Sequence, residues 1–241
     1  MTEGFLYVAI GQKYIQEAKR SAESLKRHAK LAKIALVTNK SFSSDIFDEI
    51  IVIDRESSID WKSGLAFKVE GLLCSPFEKT FFLDTDTYFT DDVQELFRIL
   101  DFFDILISHS PNDISKIKID EKKLEGLSPY NTGVIVYKNS EKVKSLFKQW
   151  KDLYTTNPAK YSSDQPAFME ALLYHDIKIY VLSYVYNFRL PSFITLPPLK
   201  VKLLHGRSSN YDKLYRIINK YPHNHRTWSP YWGMMFKNYR R

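Results

Sequence analysis

A chain of 241 residues with 44% hydrophobic and 15% aromatic side chains has room for one large α/β domain and is too apolar to stay disordered. Its 35 Lys and Arg against 28 Asp and Glu give a formal charge of +7, which suits an anionic partner such as a nucleotide, an acidic glycan or a lipid surface without separating the three. A single cysteine, Cys74, excludes an internal disulfide framework and a thiolate metal cluster.

Phe5 to Ile10 is a short run of β-formers and predicts a buried strand. Ile15, Ala18, Ala22 and Leu25 follow at spacings of three and four, a helical stripe. Ile34 to Val37 and Ile50 to Ile53 predict two further strands, Phe67 to Leu73 a helix, Thr80 to Leu83 a fourth strand, and Val93 to Leu100 another helix. Cys74 closes the apolar run Gly71-Leu72-Leu73-Cys74, where a thiol is inert and buried. The apolar stretch 99–107 is broken by Asp101 and Asp104, far short of a membrane span. Residues 109–130, polar and holding Pro111 and Pro129, read as a long loop over a site. Thr132 to Tyr137 predicts a strand, Val143 to Tyr154 and Pro166 to Tyr174 two helices, and Ile179 to Leu182 and Val201 to Leu204 late strands. The opening Met1-Thr2-Glu3-Gly4 has none of the features of a secretory signal, so a soluble, cytoplasmic protein is expected.

This alternation predicts an α/β fold: a mostly parallel sheet with helices on both faces. Ligands of such sheets sit beyond the carboxyl ends of the strands. The residues just past those ends are Gly11, Thr38, Asp54, Asp84, Ser108 and, later, His205. The sharpest feature is Leu83-Asp84-Thr85-Asp86-Thr87. If the extended geometry persists, both carboxylates point the same way, and like charges so close call for a cation. The first strand is followed by Gly11 but by no dinucleotide-binding glycine pattern, and no P-loop occurs anywhere. A metal on the aspartates would take the place of that missing phosphate cradle.

The segment Lys68 to Phe89 (KVEGLLCSPFEKTFFLDTDTYF) resembles the lysine, helix, strand and D-x-D run of GT-A-fold glycosyltransferases, especially the family 8 enzymes of the glycogenin and galactosyltransferase-like group. Four more pieces follow the family's order: Tyr7-Val8-Ala9-Ile10 with Tyr14 and a helix containing Ser21 and Ser24, Asn131-Thr132-Gly133-Val134, Ser163-Asp164-Gln165-Pro166, and Leu204-His205-Gly206. The resemblance implies one GT-A-like domain over residues 1–241, with about 1–108 binding nucleotide and about 109–241 serving sugar and acceptor. It implies Asp84, Asp86 and His205 as ligands of Mn²⁺ or Mg²⁺. Contacts to a UDP-sugar donor would come from Ala9, Ile10 and Tyr14, from Asp54 and Lys68, and from Asp84, Thr85 and Arg207. Asn131, Asp164 and Gln165 would line the sugar pocket as catalytic groups. Where the family carries a lysine and a tryptophan after the histidine, this chain has Arg207-Ser208-Ser209-Asn210, and Arg207 or Lys213 would replace the lysine. A mixed carboxylate and imidazole set suits Mn²⁺ better than Mg²⁺. Asp164 would be the acceptor base of an inverting reaction, or Gln165 would face the sugar in a retaining one.

Plainer readings stand beside these. His205 would be a strand-end histidine bonded to backbone, Asp164 a helix N-cap ahead of Pro166, Lys68 part of a solvated helix face, and Asn131 to Gly133 a turn. His223 and His225 lie in a polar tail, as an exposed loop or a second metal site. Tyr221, Trp228, Tyr231, Trp232 and Phe236 with Lys237, Arg240 and Arg241 pack on the domain, or make peripheral contact with a membrane or a glycan acceptor. The acceptor, whether glycan, protein or lipid-linked, is not specified, and no nucleic-acid recognition motif is present. Residues 83–87 equally match the nucleophile strand of haloacid-dehalogenase-like phosphatases, although the acidic pair those need later in the chain is missing after Asp92. A pyrophosphorylase would need a richer loop than Gly11-Gln12-Lys13. A non-catalytic glycan-binding module would leave the acids at strand ends without a purpose.

Overall fold

The computed structural model describes residues 2–54, 61–111, 117–119, 122–124, 128–157, 159–161 and 163–236. Strand β1 (Glu3–Ala9) leads through Ile10 to Gly11, whose φ of 81° turns the chain at once into helix α1 (Gln12–His28). The predicted stripe of Ile15, Ala18, Ala22 and Leu25 is the buried face of α1, and Lys26, Arg27 and His28 occupy its last turn, where cations suit the carbonyl end. Strand β2 (Ile34–Thr38) is buried throughout, and β3 (Glu49–Val52) is partly exposed at the sheet edge. Next come α2 (Trp61–Leu73), β4 (Lys79–Leu83), β5 (Thr87–Phe89), α3 (Leu96–Ile99) and β6 (Ile105–His109). A small hairpin of β7 (Ile117–Ile119) and β8 (Lys122–Leu124) precedes β9 (Tyr130–Lys138), α4 (Glu141–Thr156), α5 (Asp164–Leu172) and β10 (Ile179–Val181). The remainder holds β11 (Phe188–Arg189), β12 (Ile194–Leu196), β13 (Leu203–His205), α6 (Tyr211–Ile218), β14 (Arg226–Ser229) and β15 (Gly233–Phe236).

Seven strands form the main sheet in the order β10-β6-β9-β4-β1-β2-β3. Six run parallel, while β9 is antiparallel to both neighbours, β4 and β6. Period-two alternation sorts the core: Phe5, Tyr7, Phe81 and Leu83 pack on the side of α1, and Leu6, Phe82, Ile135 and Tyr137 pack under α2, α4 and α5. The sheet lies between two layers of helix, as the alternation predicted. Winding reverses at β1, with β2 and β3 laid on one flank and β4 on the other. That reversal opens a crevice at the carboxyl ends of β1 and β4.

Three expectations change. The stretch 109–130 is not all loop, since β7 and β8 pair within it; residues 112–116, 120, 121 and 125–127 lie outside the described residues. The helix expected from Val93 is confined to α3. The chain beyond Leu204, for which no element was expected, carries α6, β14 and β15, the last two forming an antiparallel sheet with β12, while His223 and His225 lie in the exposed loop expected of them. Trp228 is buried, whereas Tyr231 and Trp232 are exposed; Lys237, Arg240 and Arg241 lie outside the described residues. Among the described residues no helix is long and apolar enough to cross a membrane.

Arg226 holds this last part together. It is 1% exposed, and its guanidinium donates to the carbonyls of Ile218, Tyr221, Pro222, Asn224 and Leu199 at 2.6–3.2 Å. A planar fork with five N–H groups serves several carbonyls at once, which a lysine cannot do. Arg226→Leu leaves those carbonyls without their donor and is expected to lower stability by about 3 kcal/mol, read as a shift in the urea midpoint at unchanged slope.

Candidate active site

Strand β4, buried along its whole length, ends at Leu83 and delivers Asp84 to the crevice. Residues 84–86 then form a tight turn into β5, so the two carboxylates do not converge by strand alternation, as the sequence suggested. They converge because the turn is pinned. The Asp84 N–H donates to the Gly133 carbonyl at 2.7 Å, and the Thr87 hydroxyl donates to the Asp84 carbonyl at 2.9 Å. With its one proton used there, Thr87 accepts from Ser21 (2.7 Å), and Ser21 accepts from the Tyr7 hydroxyl (2.9 Å). This buried line of hydroxyls ties the turn to α1 and β1.

The imidazole arrives from far along the chain. Strand β13 pairs antiparallel with β5, setting His205 opposite Thr87, and β11 pairs with β13 on its other side. Nε2 of His205 then lies 3.6 Å from Asp84 Oδ2 and 3.5 Å from Asp86 Oδ1. Nδ1 lies 2.7 Å from Oδ1 of Asn187. Asp84, Asp86 and His205 are the one trio of potential metal ligands among the described residues, with ligand atoms within 4.8 Å of one another. His223 and His225 are exposed and belong to no such group.

The trio fits a divalent cation. Ligand atoms about 2.0–2.2 Å from one ion stand roughly 3–4 Å apart, the spacing of His205 Nε2 from both carboxylates. Gly133 supplies the room: a Cβ there would lie 2.3 Å from His205 Cε1 and 2.4 Å from Asp84 Oδ2. The glycine of the Asn131-Thr132-Gly133 segment is therefore required by space rather than by a turn.

Charge is balanced around the acids. Burial pushes the Asp84 carboxyl up, but Lys68 and His205 outweigh it and hold it below the usual range. Burial likewise raises Asp86, and His205, Arg207 and Arg189 overcome it, leaving that group well below an ordinary carboxylate. Lys68 is no solvated helix residue. It is 8% exposed, 2.8 Å from Asp164 Oδ2 and 3.6 Å from Asp84 Oδ1, and it donates to Thr132 Oγ1 at 3.2 Å. Burial alone would lower its pKa, and the two aspartates reverse that to a net rise. Asp164 is not the helix cap; Ser163 stands at that position. The Asp164 Oδ2 atom also accepts from Thr132 at 2.7 Å, and its main-chain carbonyl accepts from the Trp150 indole at 2.9 Å.

These groups line a cleft of about 630 Å³. Ala9, Ile10 and Tyr14 border it at the end of β1, Asn131 at the start of β9, Asp164 and Gln165 at the start of α5, and Lys68, Thr85 and Arg207 between them. Asp54 is exposed beyond β3 and is not among the lining residues. The Thr85 hydroxyl turns to Glu17, at 2.9 Å from Oε2. Three residues that the sequence reading passed over complete the site. Glu17, buried on α1, grips Arg207 through two parallel bonds of 2.8 and 3.0 Å, which raises the guanidinium pKa further. Its signal was an acid set in the apolar stripe between Ile15 and Ala18. Arg189, next to His205 across β11 and β13, lines the cleft. Asn187 carried no sequence signal.

A split sheet with acids and cations gathered at its switch point is the frame of a nucleotide-handling α/β protein, and the fold is GT-A-like. A family model described as nucleotide-diphospho-sugar transferase matches residues 79–219, more than half of the chain, from β4 to just past α6. The chain belongs to that family. The crystal structure of the glycosyltransferase GlyE from Streptococcus pneumoniae TIGR4 is similar with a TM-score of 0.61 at 16% identity, over 92% of this chain and 60% of that one. The apo form of GlyE gives 0.58 and 18%, with the same coverage. Mouse xyloside xylosyltransferase 1 in its apo form gives 0.56 at 15% identity, over 86% of this chain and 98% of that one. This chain thus spans about 60% of the length of the pneumococcal protein, and at these identities the likeness is one of fold. No curated protein matches the sequence. The phosphatase reading of residues 83–87 falls away with the family.

Two substitutions test the geometry. Gly133→Ala drives a methyl group into His205 and Asp84 and is expected to cost about 1–3 kcal/mol in thermal unfolding. Lys68→Met strands the buried Asp164 charge and is expected to cost about 3–5 kcal/mol. Adding Asp164→Asn to Lys68→Met should restore much of that loss in the same melt.

Proposed function

We propose that the chain transfers a sugar from a UDP-sugar to a glycan, protein or lipid-linked acceptor in a reaction dependent on Mn²⁺ or Mg²⁺, in the manner of family 8. The observation that carries the proposal is the meeting of Asp84, Asp86 and His205 at the switch point of the sheet. Those three residues would hold the ion, which when bound supplies Lewis-acid neutralisation of a departing diphosphate.

The chain's own groups divide the remaining work. Ala9, Ile10 and Tyr14, at the mouth of β1, border the side of the cleft suited to a nucleoside. Lys13, Arg189 and Arg207 line the same cleft and bring positive charge to the phosphates. Arg207 is 53% exposed at its side chain, open enough to reach a ligand while Glu17 steadies it. At the other end, Asp164 and Gln165 stand at the first turn of α5, beside Asn131. Both Lys68 and Thr132 occupy the same oxygen of Asp164, so this carboxylate is held as a fixed charge. That favours Gln165 facing the sugar, the retaining arrangement, over Asp164 as acceptor base. Residues up to about 108 would serve mainly the nucleotide, and those beyond it the sugar and acceptor.

The test is a pair of melting curves. UDP is expected to raise the Tm with Mn²⁺ present and much less without it, and Asp86→Ala should abolish the metal-dependent part. A UDP-induced rise that ignores both metal and substitution would overturn the site assignment. Release of UDP across a panel of UDP-sugars, followed by NMR of the product's anomeric centre, identifies the donor and the stereochemistry.

A further inference from the structure

Asn187 has no reason to be buried except what it touches. It is 1% exposed, and its amide bridges three groups. Nδ2 donates to Ser108 Oγ at 2.8 Å and to Asn131 Oδ1 at 3.0 Å, and Oδ1 lies 2.7 Å from His205 Nδ1. The orientation of both asparagines follows from a backbone group that cannot be turned round. The Gly133 N–H is a donor only, and it reaches Asn131 Oδ1 at 3.2 Å. The oxygen of Asn131 therefore faces inward, and what approaches it from Asn187 must be the amino group. That leaves the oxygen of Asn187 against His205, and an oxygen acceptor there requires a proton on Nδ1.

We infer that Asn187, held by Asn131 and the Gly133 amide, is a positioning residue that fixes the ring of His205 with a proton on Nδ1, so that Nε2 is the nitrogen turned to Asp84 and Asp86 and the one that would take a metal. The inference rests on the metal reading above, since a metal-binding imidazole needs one bare nitrogen and a fixed ring. It also gives Asn131 a second role: its amide oxygen is committed to this relay and is withheld from the sugar. Four residues from three separate stretches of the chain act in line, with Gly133 serving twice. Its amide anchors the relay, and its missing side chain leaves space for the imidazole that the relay holds.

The proton position is read by ¹⁵N NMR of the histidine rings in metal-free protein, assigned by comparison with His205→Gln. The expected result is a proton on Nδ1 of His205 in the wild type, lost or scattered between the nitrogens in Asn187→Leu. Mn²⁺ affinity, measured by the EPR signal of the free ion, should fall about 10–100-fold in Asn187→Leu. Asn187→Asp keeps the oxygen acceptor and so the Nδ1 proton but loses the donor to Asn131, so its affinity should fall between those of the wild type and Asn187→Leu. A wild-type ring protonated at Nε2 alone, with Mn²⁺ binding intact, overturns this inference by itself and needs no variant to fold. So does a folded Asn187→Leu protein with wild-type Mn²⁺ affinity. A wild-type protein that holds the Nδ1 proton and yet binds no Mn²⁺ overturns the metal reading instead.

Discussion

Asp84 and Asp86 aim their oxygens at one imidazole nitrogen, and two carboxylates so placed repel each other unless positive charge is built around them. The rest of the site can be understood as that positive charge and its supports. Lys68 stands on one side, Arg207 and Arg189 on the other, and each is held in turn. Lys68 is shared with Asp164, Arg207 is gripped by Glu17, and Arg189 is placed by the pairing of β11 with β13. The acids remain ionised, and the cost of burying them is spread over groups from α1, α2, β11 and the turn after β13.

Glu17 and Arg207 form the least expected part of that balance. An acid on the apolar side of a helix is costly unless paired, and Glu17 satisfies both of its oxygens with the Arg207 fork and the Thr85 hydroxyl. The same bonds tie the turn between the two aspartates to α1. Arg207 keeps Nη1 outside this grip, 4.0 Å from Asp86 Oδ2. The guanidinium is thereby held at the cleft without being used up, whereas a lysine on a flexible stem would need a ligand to order it.

The layered architecture and the acid pair were legible because buried strands carry unbroken apolar runs, and their ends mark the edge where ligands gather. Asp84, Asp86 and His205 were expected together from the resemblance, and the β5–β13 pairing supplies the physical reason. Other features left no trace. All seven residues from Asn131 to Tyr137 are buried, so nothing in their pattern encodes the reversed direction of β9. Strands of two or three residues, such as β11 and β12, are too short for any period to emerge. Asp164 carried good capping chemistry in its sequence context, but the cap fell to Ser163 and the carboxylate turned to Lys68. Asn187 could not have been found at all, because its role exists only once Asn131 at the start of β9 and His205 at the end of β13 both lie within its reach.

The reversed course of β9 has a consequence for how such a molecule diversifies. Because it runs against β4 and β6, it begins where β6 ends, and Tyr130 faces His109 across the ladder. The chain between those two residues leaves and re-enters the framework at the rim of the cleft. Lengthening or replacing that connection would reshape what a visiting molecule meets, with no change to the ladder beneath. Heredity can thus vary the rim and preserve the machinery of the floor, a separation written into the direction of a single strand.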